Sequence, residues 1–240
     1  MKQLSVIYIG VLILSVSFVS PTWAQTCPSD MVKAGPICVD TYEASVWSKP
    51  TGGIQFGATR QDYPCSANGN DCSVNVGGTA NPNSIYARSV PWAVPSRFIS
   101  WFQAQQACAN VGKRLLTNAE WQMAAAGTPD TTACNVSSGG GANTGQFSGC
   151  VSNWGANDMV GNLWEWVADW VPLFTHCPGW GPFSDDFMCL AGASTTSGPG
   201  ALLRGGGFFD GTRAGVFALL TANPSLPSHE GDDIGFRCGR

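Results

Sequence analysis

Few side chains in this 240-residue chain are placed for covalent or metal chemistry. Glu165 stands between Trp164 and Trp166 in the segment Asn157-Asp-Met-Val-Gly-Asn-Leu-Trp-Glu-Trp-Val-Ala-Asp-Trp170, where an isolated carboxylate is costly to bury without a partner. That partner is either an arginine, such as Arg204 or Arg237, or a metal ion. Asn162 and Glu165, with the backbone carbonyl of Val160 or Gly161 between or beside them, are hard oxygen ligands of the kind calcium prefers. On these residues alone a tryptophan-rich core strand with a hydrogen-bonded carboxylate is the simpler reading. Near the C-terminus, Asp210, His229 and Asp232 could together hold a divalent metal, but their spacing matches no ligand motif.

The ten cysteines are the other chemically capable set: Cys27, Cys38, Cys65, Cys72, Cys108, Cys134, Cys150, Cys177, Cys189 and Cys238. No Cys-x-x-Cys pair occurs, and the two histidines, His176 and His229, are too few and too scattered for a zinc or non-haem iron site. An even set in an exported chain reads instead as a disulfide framework. Four pairs lie close in sequence and can each close a loop: Cys27 with Cys38, Cys65 with Cys72, Cys134 with Cys150, and Cys177 with Cys189. Cys108 and Cys238 remain as a long-range staple. Spacing does not fix connectivity, so all five pairings are expectations.

Export itself is expected from residues 1–24. Lys2, the apolar run from Leu4 to Val19, Pro21 and the small-residue site at Thr22-Trp23-Ala24 read as a secretory signal, and the run is short for a bilayer span. No other stretch is apolar enough to span. The expected product is residues 25–240, without a membrane span, in the periplasm, at the cell surface or secreted. That length suits one sizeable domain and is short for two. A formal charge of −4 with 12% charged residues leaves no electrostatic footprint for nucleic acid.

Two helices must position the middle of the chain. The first has Ser100 as N-cap and Gln103 completing a capping box, with Trp101, Ala104, Cys108 and Val111 at helical spacing before Gly112; this puts Cys108 on the buried face. The second has Thr117 as N-cap and Glu120 at the third helical position, and runs through Trp121 to Ala126, where Gly127 and Pro129 stop it. Val32 to Ala44 alternates like a strand or two, with Glu43 near the end of one. Residues 48–98 and 127–157 read as long irregular connections, which need covalent ties or a function in a compact domain. The last forty residues form a glycine-rich frame around chemically miscellaneous side chains, from Leu203-Arg-Gly-Gly206 to Ile234-Gly-Phe-Arg-Cys238.

Several segments together resemble the formylglycine-generating enzyme (sulfatase-modifying factor) family: Val39-Asp-Thr-Tyr-Glu-Ala-Ser45, Gly112-Lys-Arg-Leu-Leu-Thr-Asn-Ala-Glu-Trp121, Asp158-Met-Val-Gly-Asn-Leu-Trp-Glu-Trp166, Leu203-Arg-Gly-Gly206 and Gly235-Phe-Arg-Cys238. The resemblance implies an α+β, C-type-lectin-like fold with two helices, short twisted strands and much irregular loop, and a disulfide from Cys108 to Cys238. It makes Gly161-Asn-Leu-Trp-Glu165 a calcium segment and so favours a structural calcium at Asn162 and Glu165. Asn135 and Val136 match part of the family's other calcium site, whose acidic ligand has no clear counterpart here. The enzymes bind copper(I) through a cysteine pair just after Arg-Gly-Gly, soft thiolates being what that ion requires. Counted on from Gly205-Gly206, the two positions fall on Asp210 and Gly215. Neither supplies a thiolate, so no copper is expected.

The terminal frame resembles more closely the variable region of proteins diversified by retroelements. In those systems a reverse transcriptase copies a template with errors at adenines and rewrites the 3′ end of a gene for a C-type-lectin-like protein. The resemblance implies a constant frame of Arg204 to Gly206, Gly211, Ala214 to Leu219 and Ile234 to Cys238. The positions it implies as variable and ligand-binding are Phe208, Phe209, Asp210, Thr212, Arg213, Leu220, Thr221, Asn223, Ser225, Leu226, Ser228, His229, Asp232 and Asp233. All are reachable from an asparagine codon by changing its two adenines, whereas Glu230 is not. In a strand only one of Phe208 and Phe209 can face the core, so at least one should be exposed as a binding anchor. The expected function is recognition without turnover, of a protein or glycan target on another cell, phage or surface. Two readings compete: an oxidoreductase of the formylglycine-generating type with an altered active site, and a structural or accessory surface protein that keeps the domain for assembly or carbohydrate contact, with tryptophans such as Trp92, Trp154 and Trp180 able to stack on sugars.

Overall fold

The computed structural model describes residues 26–76, 79–172, 185, 199–221 and 226–240. The expected secretory signal, the Cys177–Cys189 pair, Trp180, and positions Asn223 and Ser225 lie outside the described residues. Among the described residues, no helix is long and apolar enough to cross a membrane.

Both helices start at the capping boxes read from the sequence. In α1 (Trp101–Ala109) the Ser100 hydroxyl accepts from Gln103 N while the Gln103 side chain accepts from Ser100 N. In α2 (Asn118–Ala124) Thr117 and Glu120 make the same exchange. Each box satisfies two backbone donors that have no partner within the helix. Both helices end earlier than the apolar spacing suggests, with Asn110 and Ala125 as C-caps. Cys108 is fully buried on the inner face of α1.

The strands are short. In chain order they are β1 (Met31–Ala34), β2 (Ile37–Asp40), β3 (Ala44–Trp47), β4 (Gln55–Phe56), β5 (Asn75–Val76), β6 (Thr79–Ala80), β7 (Tyr86–Ser89), β8 (Arg114–Leu115), β9 (Trp164–Pro172), β10 (Pro199–Gly205), β11 (Gly215–Leu220), β12 (Ile234–Phe236) and β13 (Cys238–Gly239). Glu43 falls in the link between β2 and β3, not within a strand. The central sheet has the order β11-β10-β9-β12, and the second four-stranded sheet the order β1-β2-β13-β8. β9 pairs antiparallel with β10 and parallel with β12, with Ile234 opposite Trp164.

Side-chain alternation along β9 divides the core. Trp164 and Trp166 enter one cluster with Ile85, Ile99, Leu203, Phe236 and Cys108 of α1. Val167, one residue out of phase, enters the other with Val39, Leu116, Met159, Leu202 and Trp121 of α2. Each large apolar side chain withdrawn from water contributes about 1.5–3 kcal/mol.

Four disulfides join described residues: Cys27–Cys38, Cys65–Cys72, Cys108–Cys238 and Cys134–Cys150. The 127–157 connection is irregular and tied by Cys134–Cys150, whereas the 48–98 stretch holds β4 to β7 around Cys65–Cys72. Cys108–Cys238 spans 130 residues and Cys65–Cys72 only 7. Because a cross-link restrains the unfolded chain more when its loop is long, replacing both Cys108 and Cys238 by serine is expected to cost about 5 kcal/mol, against about 2.5 kcal/mol for the Cys65/Cys72 pair. Urea unfolding of the two double variants, compared through their midpoints and slopes, checks the order.

Candidate functional site

The terminal segment crosses one end of the central sheet. There β10 finishes at Gly205, β11 starts at Gly215, and the parallel β9 and β12 both begin, so residues 206–214 and 226–233 converge on the same edge. Trp164 joins them: its amide donates to Asp233 O at 2.8 Å, and its indole packs at Gly207. The turn out of β10 requires glycine. Gly205 and Gly206 have φ of +89° and +83°, and a Cβ on Gly206 would lie 2.5 Å from Ala214 Cα. Gly211–Arg213 then form a single 3-10 turn before β11.

The residues implied as variable divide by exposure. Phe209 is 52% exposed, Thr212, Arg213, Ser228 and Asp232 are exposed, and Leu220, Leu226, His229 and Asp233 are half-buried. Phe208, Asp210 and Thr221 are buried, which corrects their expected place on a ligand surface. Phe208 N donates to Asn162 O and Phe208 O accepts from Gly139 N, so this residue faces the fold while Phe209 stacks on it edge-to-face, with ring centroids 5.2 Å apart. The alternation expected of a strand thus arises from a turn. Asp210 Oδ2 accepts from Gly207 N at 2.8 Å; burial pushes its carboxyl above the usual range. Asp210 and Gly215, at the two thiolate positions implied by the family, close a turn and start a strand.

No metal site forms from Asp210, His229 and Asp232: among the described residues the one group of three Cys, His, Asp or Glu ligand atoms within 4.8 Å of one another is Cys65, Asp71 and Cys72, whose sulfurs are joined to each other. Asn162 and Glu165 do not fit a calcium ion in the arrangement the chain adopts. Glu165 Oε1 accepts from Arg237 Nε at 2.9 Å and Nη2 at 2.6 Å, and Oε2 accepts from Arg237 Nε at 2.8 Å and Trp121 Nε1 at 2.7 Å. Asn162 Oδ1 accepts from Asn135 Nδ2 and Ala142 N at 2.9 and 2.8 Å. Protein donors therefore occupy the side-chain oxygens that calcium would need. At the second implied site Asn135 Oδ1 has no hydrogen-bond partner, but Val136 O accepts from Gly211 N; one open oxygen is far from the roughly six to eight that calcium takes.

The partner of Glu165 is thus Arg237. Arg204 instead lies over the Trp121 ring, 4.7 Å from its centroid. Around the pair sit two further buried carboxyls. Burial pushes Asp158 up from 3.8 to about 6, and burial, then Asp158 and Glu165, hold Glu43 well above the usual carboxylate range. Glu43 accepts from Asn162 Nδ2 and Leu163 N, so it anchors the turn into β9.

Trp92 was legible only as an aromatic in a loop. It is 66% exposed with φ of +60°, a left-handed conformation that is a rare outlier for a bulky side chain. Thr144, buried, clamps it: Trp92 N donates to Thr144 O, Ala93 N to Thr144 Oγ1, and Thr144 Oγ1 to Val90 O. Trp154, 40% exposed, is tied by Nε1 to Met123 O.

Residues 79–240 match the family described as the sulfatase-modifying factor enzyme 1-like domain. Hercynine oxygenase of Mycobacterium tuberculosis is 28% identical over 152 residues, 53% of this chain and 36% of that protein. Formylglycine-generating enzyme of Thermomonospora curvata is 25% identical over 170 residues, 60% of this chain and 54% of that protein. The matches thus cover about a third to a half of these relatives' length. Among solved structures, the U1 variant of the Major Tropism Determinant superposes with a TM-score of 0.57 at 20% identity, covering 89% of this chain and 52% of that one; the P3c variant gives 0.56. The fold is C-type-lectin-like.

Two expectations follow from the buried network. Arg237→Met leaves Glu165 buried and unpaired and is expected to cost about 3–5 kcal/mol, whereas replacing both partners by apolar residues costs less; chemical denaturation of the single and double variants checks this. Asp158 has a folded-state pKa above its unfolded value, so its contribution to stability is complete below 3.8 and is lost as the pH rises through about 6. Asp158→Asn keeps an acceptor for Gly145 N and tolerates the φ of +59°. The variant is expected to be more stable than the parent at neutral pH and to show a flatter stability profile across that window.

Proposed function

Since the chain belongs to the sulfatase-modifying factor enzyme 1-like family, we propose that it uses the C-type-lectin-like fold of that family to recognise a target and not to transform a substrate. The observation that carries this reading is the pair of positions where the enzymes of the family would hold copper. Here they are a buried carboxylate that closes a turn and a strand-starting glycine, while Phe209, Thr212, Arg213, Ser228 and Asp232 are exposed beside them. Function has to be argued from a site, and the thiolate site is missing.

The recognition protein is the variable member of a diversity-generating retroelement. Its framework is rigid from Arg204 to Gly206 and again from Ile234 to Cys238, and its changing side chains lie between. The likeness in fold to variants of a tropism determinant supports this reading, as does the number of disulfides, which suits an exported protein acting in the periplasm, at the cell surface or outside the cell. The target is a protein or a glycan on another cell, phage or surface. A pre-organised exposed aromatic such as Phe209 gains contact area at little entropic cost on binding. The competing oxidoreductase reading lacks an assembled metal site among the described residues.

The reading is tested in the DNA beside the gene. A reverse transcriptase gene and a near-copy of the 3′ end, differing at adenines within the codons for residues 208–233, are expected; absence of both sinks the proposal. At the protein level, alanine at Phe209, Thr212 or Ser228 should change stability by no more than about 0.5 kcal/mol, as for surface positions in general.

A further inference from the structure

A cavity of about 380 Å³ opens beside the 3-10 turn Gly211–Arg213. Its walls come from two parts of the chain with different constraints. One wall is Asp130, Thr131, Thr132, Val136 and Ser137, the other Gly211 and Thr212. The first wall is held by the Cys134–Cys150 disulfide and by a tight turn in which Cys134 N donates to Thr131 O and Ala133 N to Thr131 Oγ1. Gly211 N donates to Val136 O at 2.8 Å, which fixes the distance between the walls. Gly211 has φ of +59°, but a Cβ there would meet nothing within 4 Å, so this glycine serves the turn and leaves the cavity open.

We propose that this cavity receives one uncharged aromatic side chain, tyrosine by preference, of a protein target. The proposal rests on the recognition reading and names its anchoring subsite. The lining surface is mostly apolar, as a ring requires, and Thr132, Ser137 and Thr212 among the lining residues carry hydroxyls that suit the polar tip of a tyrosine. A volume near the lower end of ligand pockets holds a side chain and not an extended oligosaccharide. Phe209, exposed and braced on Phe208, stands two residues before Gly211 in the chain, outside the cavity lining, where an exposed aromatic suits a separate interface contact. Only Thr212 among the lining residues belongs to the implied variable set. The pocket therefore has a covalently tied wall and a wall that one codon can reshape without disturbing the scaffold.

The test is a titration of isotope-labelled protein followed by amide-resolved NMR, with N-acetyl-L-tyrosinamide, N-acetyl-L-aspartamide and methyl β-D-glucoside as probes. Expected are shifts at Thr131, Thr132, Ser137, Gly211 and Thr212 with the tyrosine probe alone, with a dissociation constant on the order of millimolar for so small a ligand. Thr212→Trp, which fills the cavity from its variable wall, should weaken the response at least about tenfold, and Ser137→Trp should do the same from the fixed wall. Silence of these amides, shifts from the glucoside in place of the tyrosine probe, or a response untouched by both variants would overturn the proposal. The outcome is separate from the genomic test: a silent cavity beside an intact template repeat removes the subsite and leaves the retroelement reading standing.

Discussion

The fold depends on one buried ion pair. Arg237 and Glu165 are both almost wholly removed from solvent, with Nη2 and Oε1 2.6 Å apart. Such a pair gains little over a well-packed apolar substitute, because desolvation offsets most of the attraction. Its importance lies in what the guanidinium reaches. It also donates to Asp40 O at the end of β2 and to Asn157 O in the turn before β9, so one side chain joins the central sheet, the second sheet and the loop between them. An arrangement in which β12 did not run parallel beside β9 would leave both charges unpaired, and this penalises alternative placements of the terminal segment.

The neighbours of the pair make the same demand. Cys238, the next residue, is bonded to Cys108 on α1, and its amide donates to Asp40 Oδ2. Asp40, pushed up to about 6 by burial against the opposing pull of Lys113, also meets Lys113 Nζ at 2.6 Å. Trp121 of α2 closes the carboxylate of Glu165 from the other side. The segment from 206 to 233 is thus fixed at its start by Gly205 and Gly206, which admit no side chain against Met159 O and Ala214, and at its end by a charge, a disulfide and a strand. Fixed ends of this kind are what the proposed reading requires of a segment whose exposed side chains change.

Much of this was legible where the determinants are local. Ser100 with Gln103 and Thr117 with Glu120 announce helix starts because the capping interaction spans three residues, whereas Cys108–Cys238 was an expectation that the family resemblance implied and that spacing alone left open. The choice between Arg204 and Arg237 for Glu165 was not legible. Arg204 is opposite Glu165 across β10 and β9, yet its guanidinium turns over Trp121, and Arg237 arrives through a parallel strand pairing that sequence spacing does not encode. The surroundings of Asn162 and Glu165 were illegible for the same reason: residue type identifies an oxygen ligand, but only the packing shows that Asn135, Ala142, Trp121 and Arg237 bond those oxygens. Trp92 depends on Thr144, 51 residues from the amide its hydroxyl receives, and no local pattern indicates that clamp.

The burial of Phe208, Asp210 and Thr221 narrows what the proposed variable surface can be. A codon palette describes which residues a template can write, whereas the fold decides which of them survive. Asp210 accepts from Gly207 N and so holds the turn that positions Phe209; an apolar residue there would leave that amide without its acceptor, at a cost of roughly 1–3 kcal/mol if it stays buried. Phe208 fills the space beneath Phe209 and is 7% exposed, so a small replacement leaves a cavity. If the proposed variable reading holds, diversity that is neutral for stability concentrates at the exposed positions Phe209, Thr212, Arg213, Ser228 and Asp232. A variable surface limited to so few positions would gain range by borrowing constant walls from its surroundings, and the loop tied by Cys134–Cys150, which lines the same cavity as Thr212, could serve as one.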